Sequence, residues 1–495
     1  MKWTRGMKFL FKITLIFIYL IETIGLSAQE TPGLSVGNYA GIHGLQLNPS
    51  SALYSPYWLD FNVLGIEVFG QNNAFYIPRS DFNPTDLLRK DYVFPTYGKY
   101  DRSFLAKDGT FMRNFYTQNR ALLPSGMFID VTRGYSLGLI LQSREAASGD
   151  RIPYDIANFG YYGLEHEAQH NIEYNDFNIY TAGLVWTELG LNIGRTIKRE
   201  RFDLWTAGIT IKYLWGHAGY YADIDNVRYV VLNDSTMDIR NLNAKAGIAL
   251  PVDYTNNDFP GPYGYTLGHG FSVDLGVTFI KTERELRRLF PGRPCEARFE
   301  PYVFRLGLSL LDIGSIHFSE NAQKHLFDGV SHFWENAREF SYSTINEVVF
   351  DISNRFYGSP NASLIDSSFS VGLPTAFSIQ FDYHFSQNYY LHAMVFQALP
   401  IMGDQAVKRA NVIYVMPRYE TPAFELGIPL SFYRYQTPRL GFWFRLYSFT
   451  LGTDNLGMFL RTGDLDNADI YLSLRIPLRK GKCLKSRGEL PCENF

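Results

Sequence analysis

Between residues 271 and 279, apolar side chains hold every odd position, while Ser272, Asp274, Gly276 and Thr278 hold the even ones. A period of two predicts a strand with one greasy face and one polar or tiny face. The pattern recurs with Tyr302, Phe304, Leu306, Leu308 and Leu310 against Arg305, Gly307 and Ser309, and with Leu189, Leu191 and Ile193 against Glu188, Gly190 and Asn192. In 205–215 the apolar face is Trp205, Ala207, Ile209, Ile211, Tyr213 and Trp215, with aromatics at both ends. Extended along the chain, the alternation predicts strands at 57–69, 124–132, 135–145, 177–197, 204–215, 271–281, 302–314, 374–385, 389–397, 410–417, 423–432, 440–449, 455–461 and 470–478, about 14 in all.

The connections separate into two kinds. Gly134, the 198–203 turn and Ser386-Gln387-Asn388 are short, whereas 70–123, 146–176, 216–270 and 315–373 are long. Short turns at one end, long loops at the other and an even strand count describe a transmembrane antiparallel β-barrel, with periplasmic turns and extracellular loops. A soluble all-β protein alternates in the same way but uses shorter strands. The N-terminus supplies the route to such a membrane: Lys2, Arg5, Lys8 and Lys12 precede the apolar run 13–21 and the small-residue end Ser27-Ala28. That order reads as a signal peptide over 1–28, which predicts a cell outer-membrane location.

Composition narrows the choice. Of the 495 residues 16% are aromatic, 42 are Gly and three are Cys, and the mean hydropathy is −0.14. This excludes a helical membrane protein, a disordered chain and a disulfide-stapled mini-domain. With 46 basic against 49 acidic residues, no nucleic-acid partner is implied. The predicted topology puts the 282–301 turn and the 479–495 tail on the periplasmic side. They carry Arg284, Arg287, Arg288 and Arg293, then Arg479, Lys480, Lys482, Lys485 and Arg487, a basic surface open to a periplasmic or envelope protein partner. They also hold Cys295, Cys483 and Cys492, so a Cys483–Cys492 disulfide is one available pairing.

Residues 29–56 are Gly-rich and turn-forming, the composition of an N-terminal hatch folded into the lumen. Within 330–356, Phe333, Trp334, Ala337, Phe340, Ile345, Val348, Val349 and Ile352 lie mostly at helical spacing and predict a helical cap. Asn48-Pro49-Ser50 before the first strand, Val273-Asp274-Leu275-Gly276, Leu308-Ser309-Leu310-Leu311-Asp312-Ile313-Gly314 and Leu373-Pro374-Thr375 resemble the long-chain fatty-acid transporter superfamily of outer-membrane barrels. Within it, Pro124-Ser125-Gly126-Met127 looks like an uncharacterised bacterial barrel family. The resemblance implies a 14-stranded wall, a hatch around Asn48, Pro49 and Ser50, and capture or passage of hydrophobic small molecules; a related branch acts as a partner barrel in protein secretion. Ser50 stands where the transporters usually carry Ala, and the tail beyond Pro477 is longer than theirs.

His166-Glu167-Ala168-Gln169-His170 matches H-E-x-x-H, in which two His one helical turn apart hold zinc and the Glu activates water. It lies in a Gly- and Tyr-rich loop with no amphipathic helix, so it is only a weak metal candidate and no catalytic site is expected. Nothing in the pattern calls for a cofactor. Asp130, Glu188, Lys212, Asp274, Arg305, Asp382, His384 and Arg475 take the polar face of their strands and are expected to line the lumen. The expected function is binding or uptake of a hydrophobic or amphipathic molecule, in a pocket under loop aromatics Phe333, Trp334 and Phe340. The alternative is a non-transporting partner barrel of a secretion or envelope-assembly machine.

Overall fold

The computed structural model describes residues 32–83, 96–97, 103–130, 133–286, 301–337, 342–403, 405–460 and 462–478. The expected signal peptide, the basic tail, all three cysteines, Arg287, Arg288, Arg293 and Phe340 lie outside the described residues.

Fourteen wall strands close on themselves. They are β1 (Leu59–Asn72), β2 (Arg113–Leu122 and Ser125–Asp130), β3 (Tyr135–Ile152), β4 (Glu173–Glu200), β5 (Asp203–Asn233), β6 (Gly268–Thr282), β7 (Tyr302–Phe318), β8 (Phe369–Gly372 and Ala376–Ser386), β9 (Tyr389–Ala398), β10 (Val412–Glu420), β11 (Phe424–Gly427 and Leu430–Tyr433), β12 (Thr437–Leu440 and Phe442–Leu446), β13 (Phe449–Thr453) and β14 (Asn467–Leu478). Each pairs antiparallel with the next, and β1 meets β14 from Leu59↔Leu478 to Gln71↔Asn467, which removes every free edge from the wall.

The wall is apolar outside and polar inside, the reverse of a soluble barrel. Leu137, Leu139, Leu189, Leu191, Ile193, Leu275, Val277 and Ile379 are exposed, while Ser136, Glu188, Asn192, Thr210, Asp274 and Ser378 behind them are buried. Outward aromatics bound this band. Trp205, Phe279, Phe304 and Phe381 form a ladder across β5–β8 with ring centroids 4.7, 5.8 and 6.0 Å apart. Toward the other end, Tyr213 touches Trp215 (4.9 Å) and Phe271 (5.1 Å). Trp205 and Trp215 are separated by about 33 Å of strand, or ~25 Å of height at the usual tilt, which is the height of a lipid-facing band.

Several boundaries differ from the sequence reading. The thirteenth strand is Phe449–Thr453 rather than 455–461, because Tyr447 adopts φ +50° and turns the chain early; Gly457–Leu460 is a helical turn instead. The second strand begins at Arg113 and is interrupted at Leu123-Pro124, since Pro124 cannot donate to the ladder. The intervals 216–270 and 315–373 are largely structured. β5 runs for 31 residues, about 100 Å of contour, and its upper half pairs with Thr236–Ala249, which in turn pairs with Ala322–Trp334. This projecting sheet has no continuous apolar outer face to enforce a clean alternation, so its strands do not follow the period-two pattern. The helical cap shrinks to Ile345–Tyr357, capped by Thr344, whose side chain accepts from Glu347 N, and ended by Gly358 at φ +71°. Residues 330–334, expected in that helix, belong to a strand.

Candidate functional site

The lumen is occupied by residues 32–56, whose chain then joins the wall at Trp58, bonded to Leu478 O and Ile129 N. Gly194, Gly208 and Gly276 sit side by side on β4, β5 and β6, and Ser309 and Ser378 continue the row on β7 and β8. Five adjacent positions without bulk leave a shelf on the inner wall, and Asn48-Pro49-Ser50 lies on it. A β-carbon on Gly208 would fall 2.3 Å from Pro49 O, and one on Gly276 2.2 Å from Asn48 Oδ1. The Asn48 amide donates to Gln380 Oε1 (3.0 Å) and Thr278 Oγ1 (3.3 Å), and its oxygen accepts from Ser50 N (3.0 Å) and Ser50 Oγ (2.8 Å). Asn192 Nδ2 donates to Pro49 O (3.0 Å), and Ser309 Oγ donates to Leu47 O (2.7 Å). Ser50 thus joins the wall through its hydroxyl, 2.7 Å from Thr278 Oγ1, a bond Ala could not make.

Buried ion pairs grip the hatch on either side of this shelf. Arg475 bonds Asp60 (3.0 Å) and donates to Ala40 O and Tyr39 O (both 2.7 Å). Arg418 forms a fork on Asp382 (2.7 and 2.9 Å), which Arg305 shares (3.0 Å), and the adjoining Glu420 accepts from Asn38 N (2.6 Å) and Nδ2 (3.0 Å). Above them Asp312 receives Arg144 (2.8 and 2.9 Å), Lys212 (2.8 Å) and Arg409 (3.0 Å), while Lys212 also reaches Asp274 (2.7 Å). With Glu188, whose Oε2 accepts from Trp186 Nε1 (2.8 Å), this group balances three anions against three cations. Burial of such charge is tolerable only when each ion is paired in this way.

Arg409 belongs to a second closure. The β9–β10 connection, described over 399–403 and 405–411, folds into the barrel. It bonds to β8 on the near side, with Val407 N donating to Gly372 O (3.0 Å) and Gly372 N to Gln405 O (2.8 Å). It also reaches β4 and β3, four and five strands round the wall from β8, where Tyr180 OH donates to Ala406 O (2.9 Å) and Lys408 N to Ser148 Oγ (2.9 Å). The segment is a strap across the lumen. At its level the inner wall turns apolar: Trp186, Leu214, Ile316, Phe318, Val371 and Leu373 are buried around Val407. Beside it Phe69, Tyr116, Phe396, Val412 and Tyr433 enclose a cavity of ≈ 20 Å³ under Arg409, room for about one water while the strap is seated.

Of the residues expected in the lumen, Glu188, Lys212, Asp274, Arg305, Asp382 and Arg475 are brought together there. Asp130 and His384 take the inward face but lie at the turn end. Asp130 Oδ1 accepts from Arg133 N (3.0 Å), and His384 stacks on Tyr390 (4.5 Å) and bonds Glu283 and Gln387 O. Phe333 and Trp334, the two described members of the expected loop pocket, do not come together over a cavity. Phe333 is 50% exposed on a strand, and Trp334 packs toward Arg355 (4.8 Å) in the roof. The H-E-x-x-H segment is a single 3₁₀ turn over Glu167–Gln169, too tight to set both imidazoles on one face. His166 stacks on Tyr162 (4.6 Å) and His170 Nε2 bonds Leu164 O (2.6 Å). Among the described residues no group of three His, Cys, Asp or Glu is arranged to hold a metal.

Asp312, Arg144, Arg409, Arg418, Glu420 and Asp60 were missed. Asp312 has the wrong parity for the lumen if β7 alternates strictly; it reaches inward because a bulge at φ +57° resets the count. A second irregularity near residue 303 turns Tyr302 inward, to Asp382, instead of outward with Phe304.

In the roof, beyond the aromatic band, the helix Tyr154–Tyr162 is held by acid–tyrosine contacts. Asp155 is buried and accepts from Tyr229 OH (2.5 Å). Burial, then the neighbouring Asp155 charge, push the Asp176 carboxyl up to about 7. The same burial and the same acid raise the Tyr229 hydroxyl.

The chain is similar to solved barrels at low identity. A TodX mutant described as a monoaromatic hydrocarbon channel is 8% identical, with 91% of this chain and 98% of that chain covered and a TM-score of 0.40. The P. putida toluene transporter TodX is 9% identical over 88% and 93%, at 0.35. A Pseudomonas aeruginosa FadL homologue is 6% identical over 91% and 97%, at 0.21. No curated protein matches the chain. A family model does match, over residues 56–454, and the chain accordingly belongs to the family of unknown function DUF5723.

Proposed function

We propose that this protein is an integral outer-membrane barrel that binds or takes up an apolar or amphipathic small molecule from the outside. The observation that carries the reading is the apolar lining on the loop side: buried residues surround the strap at Val407, and beside them Phe69, Phe396 and Tyr433 form a cluster that reaches down to Leu34, Val36 and Leu47 of the hatch, next to the charged groups that grip it. A plain diffusion pore has no use for buried Phe69, Phe396 and Tyr433 at its mouth, whereas an apolar guest is stabilised by about 25 cal/mol for each Å² it withdraws from water. Passage requires both closures to yield, the strap first and the hatch second. The second reading, a partner barrel without transport, draws on the same hatch and strap, which leave the lumen filled in this conformation.

Purification in mild detergent, followed by mass spectrometry of retained lipids and proteins, separates the two. Ala146 also lines the cavity beside the strap, and a retained apolar molecule that is lost from an Ala146→Trp variant, whose ring occupies that space, supports uptake. A stoichiometric protein partner and no small molecule would overturn it.

A further inference from the structure

We infer that residues 259–265 form a lipid-contacting finger, which rests in the headgroup layer on the loop side of the barrel. The inference depends on the membrane reading above and adds a contact to it.

The segment reads Phe259-Pro260-Gly261-Pro262-Tyr263-Gly264-Tyr265 and carries no charge. Phe259, Tyr263 and Tyr265 are 49%, 53% and 58% exposed. Three aromatic rings so open to water are costly unless something apolar meets them. Their position identifies what does. Leu267 N donates to Gly216 O (2.8 Å), and His269 pairs with Trp215 in the wall. Tyr265 O lies 2.8 Å from His217 Nδ1, and His217 Nε2 lies 2.8 Å from Thr187 Oγ1, on the outward face of β4. A carbonyl can only accept, so Nδ1 carries the proton and Nε2 accepts from the threonine. The finger is therefore tied to the outer surface two residues above Trp215, about 5 Å in height at the usual tilt. That places it in the interfacial layer, where amphipathic rings are favoured. The outward cluster of Tyr213, Trp215, His269 and Phe271 lies on the two strands that lead into it.

The finger is presented rigidly. Gly261 N donates to Pro251 O (3.0 Å), Gly264 N to Gly261 O (3.0 Å) and Asp253 N to Asp258 O (2.9 Å). At its root Val252 and Tyr254 are buried against Ile345. The Phe259 and Tyr265 rings meet edge to face at 5.6 Å, forming one small platform.

The test places a bimane label at Tyr263→Cys in full-length protein whose native cysteines are changed to serine, reconstituted in phosphatidylcholine vesicles with and without nitroxide-bearing lipid. Controls are Ile193→Cys, at mid-band, and Phe177→Cys, exposed in the roof. Nitroxide lipid is expected to remove emission at 263 and 193 and to spare 177. Loss at 193 with full emission at 263 overturns the finger and leaves the membrane barrel standing. Full emission at 193 defeats both. A Tyr265→Ser variant, which keeps the backbone bond to His217, is expected to weaken quenching at 263; unchanged quenching would argue against the ring as the anchor.

Discussion

Asn48 and Gly276 are packed so closely that a β-carbon on residue 276 would lie 2.2 Å from Asn48 Oδ1. The hatch motif and the glycine are two halves of one contact. Gly276→Val should cost about 1–3 kcal/mol if the hatch stays seated, the range for an overpacked core, or should expel it. Protease accessibility of 32–56 and the midpoint of heat-induced migration change on SDS gels report the two outcomes. Gly70→Val is the control, since its nearest neighbour is Thr117 Cγ2 at 4.0 Å. Equal behaviour of the two variants would remove the shelf from the account.

Asp312 serves three cations, so its loss and the loss of one cation should differ. Asp312→Ala leaves Arg144, Lys212 and Arg409 facing two carboxylates, and breaking a buried network of this kind costs about 3–5 kcal/mol. Arg409→Ala cuts the strap's ion pair to the cluster and its contact over the Phe396 ring, and leaves Asp312 with Arg144 and Lys212. It should unfold in urea near the parent midpoint while its strap loses protection from hydrogen exchange at 405–410. A parent-like strap in this variant would mean that the backbone bonds to Gly372 suffice.

The outward band makes a prediction that a soluble barrel would not share. Ile193 is 45% exposed midway between the aromatic rows. In lipid, Ile193→Arg should destabilise by about 2–4 kcal/mol, whereas at a water-exposed site the change stays within about 0.5 kcal/mol. Folding free energy from urea titration in vesicles distinguishes these values.

The roof should tighten as the medium becomes more acidic. Asp176 is raised in the folded chain to about 7 from an unfolded value near 3.9. Between these values the folded state binds more protons, so stability falls as pH rises and this contribution is lost as pH passes about 7. Hydrogen exchange at 154–162, corrected for intrinsic rate, should be slower at pH 5.5 than at pH 8.5, and Asp176→Asn should flatten the difference. A difference that survives the substitution would locate the titration elsewhere.

Strand alternation made most of the wall legible because an apolar outer face on one side and polar lumen contacts on the other leave no position free of a parity rule. The same rule failed wherever one of those conditions lapsed. At Asp312 a bulge inserts a residue and reverses the faces beyond it. The projecting sheet lies beyond the apolar band, and Thr236–Ala249 shows no regular pattern. The strap was invisible because its residues pair with Gly372, Tyr180 and Ser148, none of them near in sequence. Glu188, Lys212 and Asp274 were readable as inward charges, but their shared partner was not. The glycine row could have been found: Gly208 and Gly276 both interrupt polar faces, and aligning the strands by their girdle aromatics sets them side by side.

Arg475 has a further significance for assembly. It stands on the last strand, bonds Asp60 on the first, and carries Ala40 and Tyr39 of the hatch on the same guanidinium. Nearby, His43 bridges Ser473 of β14 (2.9 Å) and Asn62 of β1 (3.2 Å). The N-terminal segment is therefore a gauge inserted at the join. A slip of one residue between β1 and β14 would turn Arg475 or Asp60 outward and leave the gauge with nothing to fit, so correct closure and a seated hatch are one event.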